Sequence, residues 1–147
     1  MNINKINLLG SYTAVFILFI CILIFIARLF KKPKIEYLLG ILFIFSFIPL
    51  SYFLLYANEL KRPVIYYIQI SLMLLFVIVE LLVDYILNIN FRNIKWMKIV
   101  YVILFFGSTG GMIGIASLSG SIFTVISIIL FLLMSFLAFF QHFKTGM

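Results

Sequence analysis

Glu80 and Asp84 stand four residues apart inside an otherwise apolar run, Leu74-Leu75-Phe76-Val77-Ile78-Val79-Glu80-Leu81-Leu82-Val83-Asp84-Tyr85. Four residues is close to one helical turn, so both carboxyls belong to one face of a helix. Acids within a membrane span are costly to bury, and they mark proton relays, cation pathways or ion pairs. At about 100° per residue, Tyr66, Gln69, Met73, Glu80 and Asp84 fall within a sector of about 60°, which makes one face of this helix polar along most of its length. From a span centre near residue 75, Glu80 lies about 7 Å and Asp84 about 13 Å towards one surface, so Glu80 is the deeper of the two. Two kinds of chemistry follow. In the first, preferred on general grounds, both acids face the bundle and form ion pairs with Arg28, Lys31, Arg92 or Lys95. In the second, Glu80 exchanges a proton or cation with the cytoplasm while Asp84 stays ionised, and Gln69 and Tyr66 extend the polar path outward.

A second group of residues is glycine-rich. Gly107-Ser108-Thr109-Gly110-Gly111-Met112-Ile113-Gly114 holds two overlapping small-xxx-small pairs, Gly107 with Gly111 and Gly110 with Gly114, which let helix backbones approach closely. An unwound stretch lining an ion site is the other use of such a segment, but it lacks the Lys that a nucleotide phosphate loop needs. Packing is the expected role, with the following helix as one candidate partner. Pro49, flanked by Ser46 and Ser51, is expected to kink its span. Thr124, Ser127 and Ser135 share one helix face, where hydroxyls commonly bond back to their own helix.

The inventory for catalysis is poor. His142 is the only histidine and lies in a short basic tail, where a solvated imidazole is expected. Cys21 is the only cysteine, so no internal disulfide can form, and its apolar neighbours suit a thiol facing lipid or another helix. These residues supply no zinc set, no Ser-His-Asp arrangement and no His-Glu-x-x-His spacing. No catalytic residue, metal ligand or cofactor is assigned, and the protein is not expected to be an enzyme.

The elements that must position these groups follow from composition. Of 147 residues 66% are hydrophobic and 10% charged, and mean hydropathy is +1.30, which excludes a soluble domain, a disordered chain, a collagen and a coiled coil. An all-α integral membrane protein remains, read as one domain over residues 1–147. Apolar runs near the length that crosses a bilayer cover residues 8–29, 37–56, 64–87, 99–118 and 122–140, giving a bundle of five transmembrane helices. Pro33, Pro63, the 88–90 segment and the turn at Ser119, Gly120 and Ser121 separate them. The first run is apolar around its whole circumference and so reads as a span, not as an interfacial helix. It is too long, and lacks a small-residue site, for a cleaved signal.

Orientation rests on charge. Eleven Lys and Arg face four acids, for a net charge of +7, and the bases cluster beside the apolar runs. Arg28, Lys31, Lys32, Lys34, Arg92, Lys95, Lys98 and Lys144 fall on one side and Lys5, Lys61 and Arg62 on the other, which favours the N-terminus outside and the C-terminus inside. Tyr12, Tyr37, Tyr56, Tyr66, Tyr67, Tyr85, Tyr101 and Trp96 lie near span ends, as headgroup-level rings do. The basic loops suit anionic lipid headgroups rather than nucleic acid. A membrane-protein partner or a homodimer fits the glycine surface. Usage rich in Ile, Phe, Lys and Asn suits a prokaryotic plasma membrane.

Two functional readings result. The first is a small non-catalytic accessory or scaffold subunit whose glycine surface receives a partner helix. The alternative is a small transporter or proton-coupled permease with Glu80 as the coupling carboxylate. They differ in what reaches Glu80: a water-accessible cavity serves a transporter, and basic side chains capping the acids serve a scaffold.

Overall fold

The computed structural model describes residues 2–88 and 93–145, which form helices and their connections, with no strand among the described residues. In chain order they are α1 (Ile3–Leu29), α2 (Pro33–Phe45), α3 (Phe47–Tyr56), α4 (Val64–Glu80) with a π-helical continuation over Leu81–Ile86, α5 (Lys95–Ser117) and α6 (Ser121–Thr145). Five stretches are long and apolar enough to cross a membrane: Ile3–Leu29, Pro33–Tyr56, Val64–Ile86, Lys95–Ser117 and Ser121–Lys144. They match the five apolar runs, and the differences lie at their ends. The first helix begins at Ile3 because the Asn2 side chain accepts from the Asn4 N–H at 3.0 Å, a cap that hydropathy does not register. The last runs past Phe140 and carries Gln141 and His142 on helix, with His142 and Lys144 placed to complement the carbonyl end of the helix dipole.

The second span is broken where Pro49 predicts. Pro49 has no N–H for the Phe45 carbonyl, and the break falls at Ser46, whose buried hydroxyl donates to the Phe43 carbonyl at 2.6 Å. The third span loses α-geometry at its far end, where the Leu87 N–H reaches back five residues to the Leu82 carbonyl at 2.8 Å.

The helix that is apolar on every side is the one the others surround. Half of the α1 span is buried, against 11% of the α6 span, and α1 packs against α2, α5 and α6. Ile17 and Leu18 of α1, Leu50 and Phe53 of α3, Ile70, Met73 and Phe76 of α4 and Ile115 of α5 form the centre of the core. Cys21 lies inside this core. Lys31, just past α1, and Lys61, at the end of the turn that follows α3, sit at φ 53° and 50°, and the next N–H in each case closes the turn, Lys32 to the Ala27 carbonyl at 2.9 Å and Arg62 to the Ala57 carbonyl at 3.0 Å. Gly120 turns α5 into α6 at φ 120°, a conformation that glycine adopts without the steric cost of a Cβ.

These connections give the bundle two chemically different ends. One end, called here the N-terminal end, holds Ile3, the 57–63 connection and the turn at Gly120. The other, the C-terminal end, holds the 30–32 turn, the π-helical segment, the start of α5 and the end of α6. Arg28, Lys31, Lys32, Lys34, Lys95, Lys98 and Lys144 belong to the C-terminal end by their positions in these elements, while Arg92 lies outside the described residues.

Candidate functional site

At the C-terminal end the helices part around a cleft of about 490 Å³. Its walls are aromatic, with Phe25 from α1, Tyr37 and Phe43 from α2, Phe76 from α4, Phe105 and Phe106 from α5 and Phe139 from α6. These rings hold one another at edge-to-face separations, 5.8 Å for Phe43 with Phe76, 5.5 Å for Phe76 with Phe105 and 5.7 Å for Phe25 with Phe105. Rings packed against one another in this way form a continuous aromatic wall.

Glu80 and Asp84 both line this cleft. The Glu80 carboxylate accepts a hydrogen bond from the Tyr101 hydroxyl, and Asp84 lies within hydrogen-bonding reach of it. The π-helical segment begins one residue after Glu80 and contains Asp84 and Tyr85. In a π-turn the hydrogen bond spans five residues rather than four, so the widened turn brings both Asp84 and Tyr85 round to the side on which Glu80 stands. All three line the cleft. The Tyr85 hydroxyl donates to the Tyr37 carbonyl at 3.1 Å, with the two rings 5.2 Å apart. Gly40 makes this possible, because a Cβ there would overlap the Tyr85 hydroxyl.

Of the basic partners expected for the acids, Arg28 is engaged elsewhere. Arg28 Nε donates to Glu36 Oε1 at 2.5 Å, and its guanidinium lies 5.6 Å from the Phe25 ring centre. Its charge is felt at Glu80, but the hydrogen-bonded pair is the one with Glu36. Lys98 also lines the cleft, whereas Lys31, Lys32, Lys34 and Lys95 are exposed around its end of the bundle. Among the described residues no three His, Cys, Asp or Glu side chains gather as a metal-binding set.

The other two members of the polar face of α4 are not part of this site. Gln69 is eleven residues from Glu80, about 16 Å along the helix, and Tyr66 about 21 Å. The Gln69 side chain packs against α5, where its amide occupies the place that a Cβ at Gly114 would take and its Cγ stands 3.4 Å from where a Cβ at Gly111 would be. Tyr66 is buried beneath the Arg62 guanidinium, 4.7 Å from its ring centre, and Arg62 in turn donates to Asn7 Oδ1. A Cβ at Gly110 would stand 3.9 Å from the Phe131 ring, and of these four glycines Gly107 is the one at which a Cβ would meet nothing within 4 Å. Gly111 and Gly114 therefore serve contact with the third span, not with the helix that follows them.

Sequence reasoning passed over several lining groups. Tyr37, Tyr85 and Tyr101 read as headgroup anchors because they lie near span ends, yet all three line the cleft. Gln141 and His142 line it too, because α6 continues beyond its apolar run. Glu36, three residues after Pro33 in the first turn of α2, carried a usable signal, for an acid is expected at a helix N-terminus and within reach of Arg28 across a short turn. The hydroxyls of α6 close on their own helix, Thr124 to Gly120 at 2.9 Å, Ser127 to Thr124 at 2.9 Å and Ser135 to Phe131 at 2.8 Å. No family model matches the chain, and no curated protein or solved structure matches it.

Proposed function

We propose that this multi-pass helical protein is a small permease that takes a solute into the C-terminal cleft and uses Glu80 as its exchange carboxylate. The observation that carries this reading is the cleft itself: it reaches Glu80, while Arg28, the base best placed to cap that acid, is paired with Glu36. Two carboxyl groups in hydrogen-bonding reach can hold one proton between them, and a site that can give up that proton can accept a cation in its place. The N-terminal end supports the same reading, because Gln69 against Gly111 and Gly114, and Ser11 donating to the Ala116 carbonyl at 2.9 Å, close it. A bundle open at one end and closed at the other is one half of an alternating-access cycle. The basic residues around the open end make it the cytoplasmic one by the distribution of Lys and Arg, next to anionic headgroups. The accessory reading has less to stand on, since three of its four glycines are covered from within the chain.

Infrared difference spectroscopy on the protein in lipid nanodiscs tests this, with Glu80→Gln identifying the band. A Glu80 carboxyl that titrates and exchanges with D2O is expected. A carboxylate that stays ionised at every pH at which the bundle remains folded would mean a fixed charge and would rule out the permease.

A further inference from the structure

Resting on the reading of the cleft as a solute site, we infer that its ligand is a lipophilic organic monocation, with the positive centre at Glu80 and Asp84 and the apolar body among Phe43, Phe76, Phe105 and Phe106.

Charge comes first. Apart from phenols and Cys21, the titratable side chains lining the cleft are Glu36, Glu80, Asp84, Arg28, Lys98 and His142. Arg28 and Glu36 neutralise each other at 2.5 Å, which leaves two carboxyl groups against Lys98 and an imidazole on the exposed side. An anion would meet the carboxyl pair, with Lys98 as the one ammonium in the lining to receive it. A zwitterion would find two carboxyls for its ammonium group and only Lys98 for its carboxylate. A bare divalent cation needs more oxygen ligands than two carboxyls and a phenol provide. A sugar needs many directional donors and acceptors, and most of this wall is hydrocarbon.

The walls favour the same class of ligand. An aromatic face carries negative quadrupole charge, and a cation over it is attracted more strongly when water is excluded. Phe76 is central, touching Phe43, Phe105 and Tyr101, the last at 5.5 Å, so the ring cluster runs unbroken to the hydroxyl that binds Glu80. A volume of about 490 Å³ lies in the range that encloses one drug-sized molecule. Entry is consistent too. Val102 on α5 and Phe139 on α6 line the cleft and are 42% and 57% exposed, so the cleft has apolar residues at accessible positions. An apolar cation thus meets an apolar surface on entry.

The test uses the full chain in nanodiscs of phosphatidylcholine, which carry no net charge to concentrate cations. Tetraphenylphosphonium and tetraphenylborate, nearly equal in size and opposite in sign, are titrated by equilibrium dialysis, with protein-free nanodiscs subtracted. Saturable binding of tetraphenylphosphonium at one per chain is expected, weakened about tenfold or more in Glu80→Gln and in Asp84→Asn, with thermal unfolding verifying that each variant is folded. Tetraphenylborate is expected neither to saturate nor to compete. Equal binding of the two ions, or wild-type affinity in both variants, would overturn the inference by showing an apolar cavity indifferent to charge. Should the Glu80 carboxyl exchange its proton while no saturable cation binding occurs, the ligand class is wrong and the permease reading stands. Loss of both signals in a folded protein would remove the two together.

Discussion

The two ends of this bundle contain similar materials and arrive at opposite structures. At the N-terminal end a polar side chain, Gln69, meets Gly111 and Gly114, and α4 and α5 close over it. At the C-terminal end the Glu80 carboxylate of α4 accepts from the Tyr101 hydroxyl of α5 and, with Asp84, borders a cleft walled by Phe76, Phe105 and residues of the other helices. What differs is the size of the opposing residue. A glycine lets the amide fill the interface, whereas the aromatic rings pack on one another and leave the carboxyls on the wall of the cleft. Placement of a polar group on an apolar helix is therefore not one phenomenon here. Gln69 is part of the packing, and Glu80 is part of a surface.

The strongest way to break this comparison is to enlarge the closed end. A Cβ at Gly114 would overlap the Gln69 amide, and the two further methyl groups of Gly114→Val force that side chain out of its place against α5. A loss of about 3 kcal/mol in unfolding free energy is expected, at the upper end of the overpacking range. Gly107→Val, on the same helix with nothing within 4 Å, is the control and should cost less than about 1 kcal/mol. Equal midpoints for the two variants in a detergent unfolding series would show that the N-terminal end is not held by the Gln69 contact.

The open end is probed through Gly40. A Cβ there runs into the Tyr85 hydroxyl and must push the ring towards the cleft, at a cost of about 2 kcal/mol. The double variant Gly40→Ala with Tyr85→Phe removes the obstructing oxygen and should recover at least half of the loss. Such non-additivity marks residues in direct contact. Additive effects would show that Tyr85 moves freely, and the rigid wall assumed for the cleft would be absent.

Tyr101→Phe is gentler. It deletes one hydroxyl, donated to Glu80, and leaves the ring 5.5 Å from Phe76 in place. About 1 kcal/mol of stability should be lost, the usual worth of a single hydrogen bond. The more telling readout is the Glu80 carboxyl band, which should shift because its donor has gone. An unmoved band would separate Tyr101 from the site.

Much of the architecture was legible because hydropathy and helix length measure the same thing in a bilayer, so five apolar runs became five helices. The Pro49 break was legible for a local reason, the missing N–H. The candidate site was only half legible. Glu80 and Asp84 stood out by burial cost, but placing Tyr66 and Gln69 with them treated α4 as a uniform stripe, when the two ends of one stripe meet different neighbours. The π-helical turn broke the assumed period just where Asp84 and Tyr85 lie, and no residue type announces such a turn. The cleft-lining role of Tyr37, Tyr85 and Tyr101 was not legible because a tyrosine near a span end satisfies two rules equally well, headgroup anchoring and lining of an end-on cavity. Only the neighbouring helices decide between them.

The smallest effect concerns how the open end is fixed to its first turn. Lys31 sits just past α1 at φ 53°, a conformation in which its Cβ crowds the backbone, and it does so where glycine is the usual residue. Lys32, its neighbour, sits at φ -107° and has no such cost. Lys31→Gly should therefore stabilise the protein by about 0.5 kcal/mol, the relief of left-handed strain being partly offset by the greater freedom of glycine in the unfolded chain. Lys32→Gly removes the same charge from the same exposed turn and gains nothing in return, so it should be neutral or slightly destabilising. The difference between the two midpoints isolates the backbone contribution from the electrostatic one. A Lys31→Gly variant no more stable than Lys32→Gly would mean that the turn joining α1 to α2 is free to adopt other conformations, and that Arg28 and Glu36, which flank it, owe their pairing to the cleft and not to the turn.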